Sequence, residues 1–215
     1  MKGLKSVVWK LLNFIGIGGA INLHLESGLK EEGWFLSFRK KQSIDKNAQP
    51  IPWLTYAFIN FLEPRLSQKF NLFEFGSGNS TLWYASRVAQ VHSVEHDKAW
   101  LDLIKNKMPD NVQLLYQALS DENHYEKSVF HFQQNYHIII VDGRKRNKCM
   151  EEALQCLTDD GVIILDNSNR EQYQSGQALL AQNGFKKLDF WGMTPIAPNN
   201  SCTSVFYRTN NCLGI

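Results

Sequence analysis

The chain has 215 residues, 43% of them hydrophobic, 12% aromatic and 20% charged, with a formal net charge of +2. This length and composition suit one domain plus an extension, or one large α/β domain, and exclude a disordered, collagen-like or coiled-coil chain. So small a net charge leaves no footprint for general nucleic-acid binding, although residues 1–70 hold 10 Lys/Arg against 5 Asp/Glu and the remainder 13 against 16.

Residues 1–50 read as an irregular N-terminal extension, and residues 51–215 as the domain. From Leu11 to Leu25 no residue is charged. Crossing a bilayer takes about 20 apolar residues, and this run contains Asn13, Asn22, His24 and three glycines, so it is not a transmembrane segment. Lys2 and Lys5 before it and Gly18-Gly19-Ala20 within it allow a signal-peptide reading, which Lys10 interrupts. An amphipathic helix that packs on the body, or rests weakly on a membrane surface, suits the pattern better. Gln42 to Pro52 reads as a loop. Pro52 then suits the first turn of a helix from Trp53 to Phe61, which Pro64 ends.

From Asn71 strands and helices alternate. Asn71–Phe75 is a short apolar strand closed by Gly76, and Ser80–Ala89 is helical. Val91–Glu95 is a second strand, followed by a helix from the N-cap Asp97 to Met108. Val112–Ala118 is a third strand, and the polar residues 120–135 hold room for a short helix. Tyr136–Val141 has four consecutive branched apolar residues, as a strand covered on both faces does. Lys145–Leu157 is a helix, Gly161–Leu165 a strand and Gln172–Gln182 a helix closed by Gly184. Lys186–Trp191 and Ser204–Arg208 form a last pair of strands with no helix between them. Such alternation implies a Rossmann-like, mostly parallel sheet of seven strands, helices on both faces and the last strand antiparallel, and the segment before it is expected to be a helical extension. Ligands of these sheets sit beyond the carboxyl ends of the strands.

Those ends carry the chemistry. The first reads Phe73-Glu74-Phe75-Gly76-Ser77-Gly78-Asn79-Ser80. Its glycines let the backbone turn tightly and approach a ligand at a helix start. Glu74 suits a cationic group, and Thr81 stands where a dehydrogenase fingerprint needs a third glycine. The second strand ends in Val94-Glu95-His96, where an acid can accept both hydroxyls of a ribose; pairing with Lys98 is the alternative. The fourth ends in Asp142-Gly143-Arg144-Lys145-Arg146 and the fifth in Asp166-Asn167. Arg144 and Arg146 open a helix against its macrodipole, which points to an anion such as a phosphate or carboxylate on a substrate, or to a solvated basic turn. Trp53 and Tyr56 are further substrate candidates, while Phe58 and Phe61 suit packing. The loop from Trp191 to Cys202 returns to the same end as a possible rim. Cys149, Cys156, Cys202 and Cys212 form no CxxC pair and read as core residues of a reducing, cytoplasmic compartment.

The Glu74-Phe75-Gly76-Ser77-Gly78 loop, Glu95 after the next strand and the closing strand pair resemble class I S-adenosylmethionine-dependent methyltransferases, over about residues 50–210. The resemblance implies that Gly76, Ser77 and Gly78, with Glu74, Asn79 and Asp142 beside them, hold the cofactor, and that Glu95 binds its ribose. It places Ala118 and Leu119 at the adenine, although the family's usual acid is missing there. Asp142 with Asp166 and Asn167 is similar to the metal-ligand set of the catechol and caffeoyl-coenzyme A O-methyltransferases. This implies an octahedral Mg²⁺ that orients an acceptor hydroxyl. Those enzymes carry a different tail after the aspartate, and a capping turn is the alternative for Asp166-Asn167-Ser168. The function expected is methyl transfer from S-adenosylmethionine to a small acceptor at oxygen, an anionic one if Arg144 and Arg146 bind it, with Asp142 and Asp166 catalytic and no nucleic-acid partner. A nicotinamide oxidoreductase and a catalytically silent cofactor-binding protein are the rival readings.

Overall fold

The computed structural model describes residues 2–120 and 124–215. Four helices precede the sheet: α1 (Lys2–Phe14), α2 (Gly18–Leu25), α3 (Gly28–Glu31) and α4 (Trp34–Lys40). The extension is therefore helical, as expected, although its sequence carries no regular period. Three of these helices span two turns or fewer and are separated by glycines, which hides their period. A fifth helix, α5 (Tyr56–Leu62), follows. It starts three residues later than Pro52 predicts. The Thr55 N–H donates to Thr203 Oγ1 at 3.1 Å and its hydroxyl to the Phe190 carbonyl at 3.1 Å, so the residues before α5 are pinned in an extended path.

Then come β1 (Asn71–Phe75), α6 (Asn79–Ala85), β2 (Gln90–Glu95), α7 (Lys98–Ile104), β3 (Val112–Tyr116) and α8 (His124–Lys127). Within the expected 120–135 helical region, residues 121–123 lie outside the described residues. The chain continues through β4 (Tyr136–Val141), α9 (Arg146–Ala153), β5 (Leu157–Asp166), α10 (Gln174–Gln182), β6 (Lys186–Met193) and β7 (Asn200–Tyr207). The sheet has seven strands in the order β3-β2-β1-β4-β5-β7-β6. β7 runs antiparallel to both β5 and β6, and the other pairings are parallel.

Period-two alternation sorts the core into two layers. Leu72, Ile138, Ile140 and Val205 pack with Phe58, Leu62 and Tyr84 on one face. Phe73, Phe75, Ile139 and Val141 pack with Cys149, Met150 and Leu180 on the other. Both faces are thus covered, which is why β4 reads as an unbroken apolar run. All four cysteines are free, and three are buried. The register pairs Phe75 with Val94 and Val141, Val141 with Leu165, and Asp166 with Thr203. Glu95, Asp142 and Asp166 consequently stand in one row along the carboxyl edge. Among the described residues no helix is long and apolar enough to cross a membrane.

Candidate active site

The sheet order reverses between β1 and β4, and a cleft of about 270 Å³ opens there. Glu74, Gly76, Ser77, Ser80, Glu95, His96, Asp142, Gly143, Arg144 and Arg146 line it. Its two glycines have physical reasons. Gly76 turns the chain at φ +103°, a region side chains rarely adopt. Gly143 lies so close to its neighbours that a Cβ would stand 2.1 Å from Tyr125 Oη and 3.0 Å from the Phe75 carbonyl oxygen.

Glu74 is 1% exposed and points to the α6 side of β1. Its carboxylate accepts from the Ser80 hydroxyl and, at 2.5 Å, from that of Thr81. Thr81 Oγ1 in turn accepts the Gly78 N–H at 3.0 Å. A relay therefore runs from the glycine loop to the buried acid. Burial pushes the Glu74 carboxyl up from 4.5 to about 7, aided by the charge of Glu95 and opposed by the two hydroxyls. Tyr84, wholly buried on α6, has a hydroxyl with no hydrogen-bond partner among the described residues, and the charges of Glu74, Asp142 and Asp166 all act on it.

Glu95 ends β2. One carboxylate oxygen accepts the N–H groups of His96 at 2.7 Å and Asp97 at 2.9 Å. The other accepts the Ser77 hydroxyl at 3.0 Å. The alternative pairing of Glu95 with Lys98 does not occur; Lys98 instead meets Asp102 at 2.9 Å. Trp100 donates its indole N–H to the Ser77 carbonyl at 2.9 Å and so braces the glycine loop from outside.

Asp142 and Asp166 are joined by Arg146, whose side chain is only 8% exposed. All five of its N–H donors are engaged. They go to the Gly143 carbonyl at 3.0 Å, the Asp166 carbonyl, Asn167 Oδ1 at 3.5 Å, the Asp142 carbonyl at 2.7 Å and Asp142 Oδ1 at 2.9 Å. Asp166 Oδ1 accepts from Thr203 at 2.9 Å, and Asn167 donates to Ser201 at 3.0 Å. Burial and the neighbouring Asp166 hold the Asp142 carboxyl well above its ordinary range, against the pull of Arg146. Burial likewise raises Asp166. Asp142, Asp166 and Asn167 do not fit Mg²⁺: a guanidinium already stands among them. Arg146 is for the same reason not a free substrate ligand, and its charge at the start of α9 is balanced by Asp142 rather than set against the macrodipole.

The other expected residues divide. Gly78 caps α6, and Asn79 donates to the Ser43 carbonyl at 2.8 Å, tying the extension to the loop. Ala118 and Leu119 follow β3, half-buried and outside the cleft lining. Trp53 is 50% exposed and donates to Thr194 Oγ1 at 3.2 Å; Trp34 donates to the Ala197 carbonyl at 3.0 Å. Both indoles thus hold the loop after β6. Tyr56 is buried and lines a separate cavity with Glu32, Asn60 and Trp83, so it does not join the site. Arg144 is exposed at the mouth, where the cleft adjoins a second of about 500 Å³. That second cleft is lined by Arg144, Lys145, Arg146, Lys148, Arg170 and Tyr173 among others, and by no acid. Sequence reasoning missed Ser80 and Thr81, for which hydroxyls in the first turn after a glycine loop are the available signal. It also missed Tyr84 and Thr203, which carry no local signal.

No family model matches the chain, and no curated protein matches it. Solved structures do. An rRNA methylase from Streptococcus thermophilus is 14% identical, with 70% of this chain and 93% of that one covered, at a TM-score of 0.52. A precorrin-6y C5,15-methyltransferase from Geobacter metallireducens is 13% identical, covering 71% and 86%, at 0.57. A candidate O-methyltransferase from Klebsiella pneumoniae is 13% identical, covering 85% and 90%, at 0.55. At these identities the likeness establishes the fold, which this chain shares with them.

Proposed function

We propose that this chain transfers a methyl group from S-adenosylmethionine to a hydroxyl oxygen of a small anionic acceptor. The observation that carries the reading is the set of three carboxylates, Glu74, Glu95 and Asp142, around the Gly76-Ser77-Gly78 turn, in a fold shared with methyltransferases. Acidic groups that are costly to bury suit a ligand with a sulfonium, an ammonium and a diol. When bound, S-adenosylmethionine supplies an electrophilic methyl group.

This chain's residues do the rest. Glu95 accepts the ribose hydroxyls, held in place by two backbone N–H groups and Ser77. The glycine turn offers backbone at close range, and Ala118 and Leu119 border the adenine. Asp142 takes the acceptor's proton, and Arg146 holds its orientation. Arg144 and Arg170, which form no ion pair among the described residues, offer the anion its contacts in the second cleft.

Calorimetry against S-adenosylmethionine, S-adenosylhomocysteine and NAD tests the reading. The two sulfur compounds should bind and NAD should not; the opposite result overturns the reading in favour of a nicotinamide-binding protein. Glu95→Ala should weaken S-adenosylmethionine by about tenfold or more, since charge-assisted bonds contribute about 1.5–3 kcal/mol each. Asp142→Asn should leave affinity within a few-fold but slow methyl transfer by about 10²–10⁴. A wild-type rate in that variant, measured with an anionic hydroxyl compound that the wild type methylates, removes Asp142 from the chemistry.

A further inference from the structure

We infer that α1 is a lipid-surface anchor, an amphipathic helix that lies in the headgroup layer of an anionic bilayer and holds the sheet against it. This goes beyond methyl transfer and does not depend on it. Val7, Leu11 and Phe14 recur at i, i+4 and i+7 on one side of α1, with Val8 beside them; Ser6, Lys10 and Asn13 recur at the same spacing about 100° round the helix, as a polar flank. The apolar side is not packed on the body. Val7 is 64%, Leu11 58% and Phe14 88% exposed, and from Lys5 to Ile17 every residue but Leu12 is exposed. A contiguous apolar face of this kind, left bare, marks an interaction surface.

Charge identifies the occupant. Residues 2–25 include Lys2, Lys5 and Lys10 and no acid, the first being Glu26, so the chain's positive excess is concentrated beside this face. A basic polar flank beside an aliphatic face complements anionic headgroups over acyl chains, whereas a second copy of the helix would bring like charges together. By itself α1 is too short to span: 13 residues rise about 20 Å, short of the roughly 30 Å hydrocarbon core. The segment Gly18–Glu31 turns away from α1 by 115°. It touches α4, where His24 meets Phe35 edge-on at 4.6 Å between ring centroids. α1 thus stands clear of the body, its apolar side free to lie along a surface.

The test is flotation of the full chain with vesicles of phosphatidylcholine alone and of phosphatidylcholine with phosphatidylserine. The wild type should float with the anionic vesicles and be released by salt. Lys5→Gln with Lys10→Gln should weaken binding about fivefold per lysine. Leu11→Asp with Phe14→Asp should abolish it, with the thermal midpoint unchanged because both side chains are exposed. No flotation of the wild type overturns the inference, as does flotation indifferent to Leu11→Asp and Phe14→Asp. A dimer in sedimentation that this double variant splits, without vesicle binding, shows the face to be a self-association surface instead.

Discussion

Arg146 shows how one side chain can decide what a site is. Its planar fork reaches three carbonyl oxygens and a carboxylate at the ends of two strands. A lysine ammonium offers three donors from one point and cannot span that set. Arg146→Met keeps comparable bulk but leaves Asp142 and Asp166 facing each other without a counter-charge. Removing one partner of a buried ion pair costs about 3–5 kcal/mol, so urea denaturation at pH 7 should show a loss of that order. The loss should shrink in acid, where both carboxyls bind protons, and Arg146→Lys should recover only part of it. An unchanged midpoint at pH 7 would mean that solvent, not Arg146, neutralises the pair.

At the scale of elements, the β1 and β4 ends set the width of the cleft. The Asp142 N–H donates to the Phe75 carbonyl at 3.2 Å, and Gly143 lies against that carbonyl and the Tyr125 hydroxyl. Gly143→Ala should therefore destabilise the chain by about 1–3 kcal/mol, the usual effect of overpacking. Tyr125→Phe in the same chain should relieve part of this, because it removes the nearest atom but not the Phe75 backbone; a thermal-melt cycle measures the coupling, and strict additivity would refute the contact. Such contacts also mark the limit of what the sequence shows. β1 and β4 are legible to the residue, since Asn71–Phe75 and Tyr136–Val141 are apolar runs with sharp polar or glycine ends. β5 is legible only from Gly161, although it starts at Leu157, because Thr158, Asp159 and Asp160 are polar and the register shifts there. The acids at the strand ends stand out by position. Their partners do not: Thr203 reaches Asp166 from 37 residues away, and nothing local distinguishes Arg146 from Arg144. The metal reading followed from three oxygen-bearing residues whose shared arginine becomes visible only in space.

For the molecule as a whole, buried acids invert the usual pH dependence. Glu74 has its carboxyl raised from 4.5 to about 7, so between those values the folded chain holds a proton that the unfolded chain has released. Its contribution to stability is complete below pH 4.5 and is lost as pH rises through 7, by about 3 kcal/mol in all. His92 acts the other way: burial lowers its pKa from 6.5 to about 4, so its contribution is complete above 6.5 and lost as pH falls through 4. Glu74→Gln should consequently melt higher than the wild type at pH 8, with the gap closing toward pH 4.5; a constant gap would place the raised pKa elsewhere. The paired indoles of Trp34 and Trp53 have a different bearing on the molecule. Trp34 grips Ala197 from the extension and Trp53 grips Thr194 from the stretch before α5, while β6 and β7 hold that loop from the sheet. The loop after β6 is thus clamped between two parts of the chain that are far apart in sequence. Cutting at residue 50 would remove the Trp34 jaw of that clamp and leave the Trp53 one, so any tug on the first helices is felt in the turn between the last two strands.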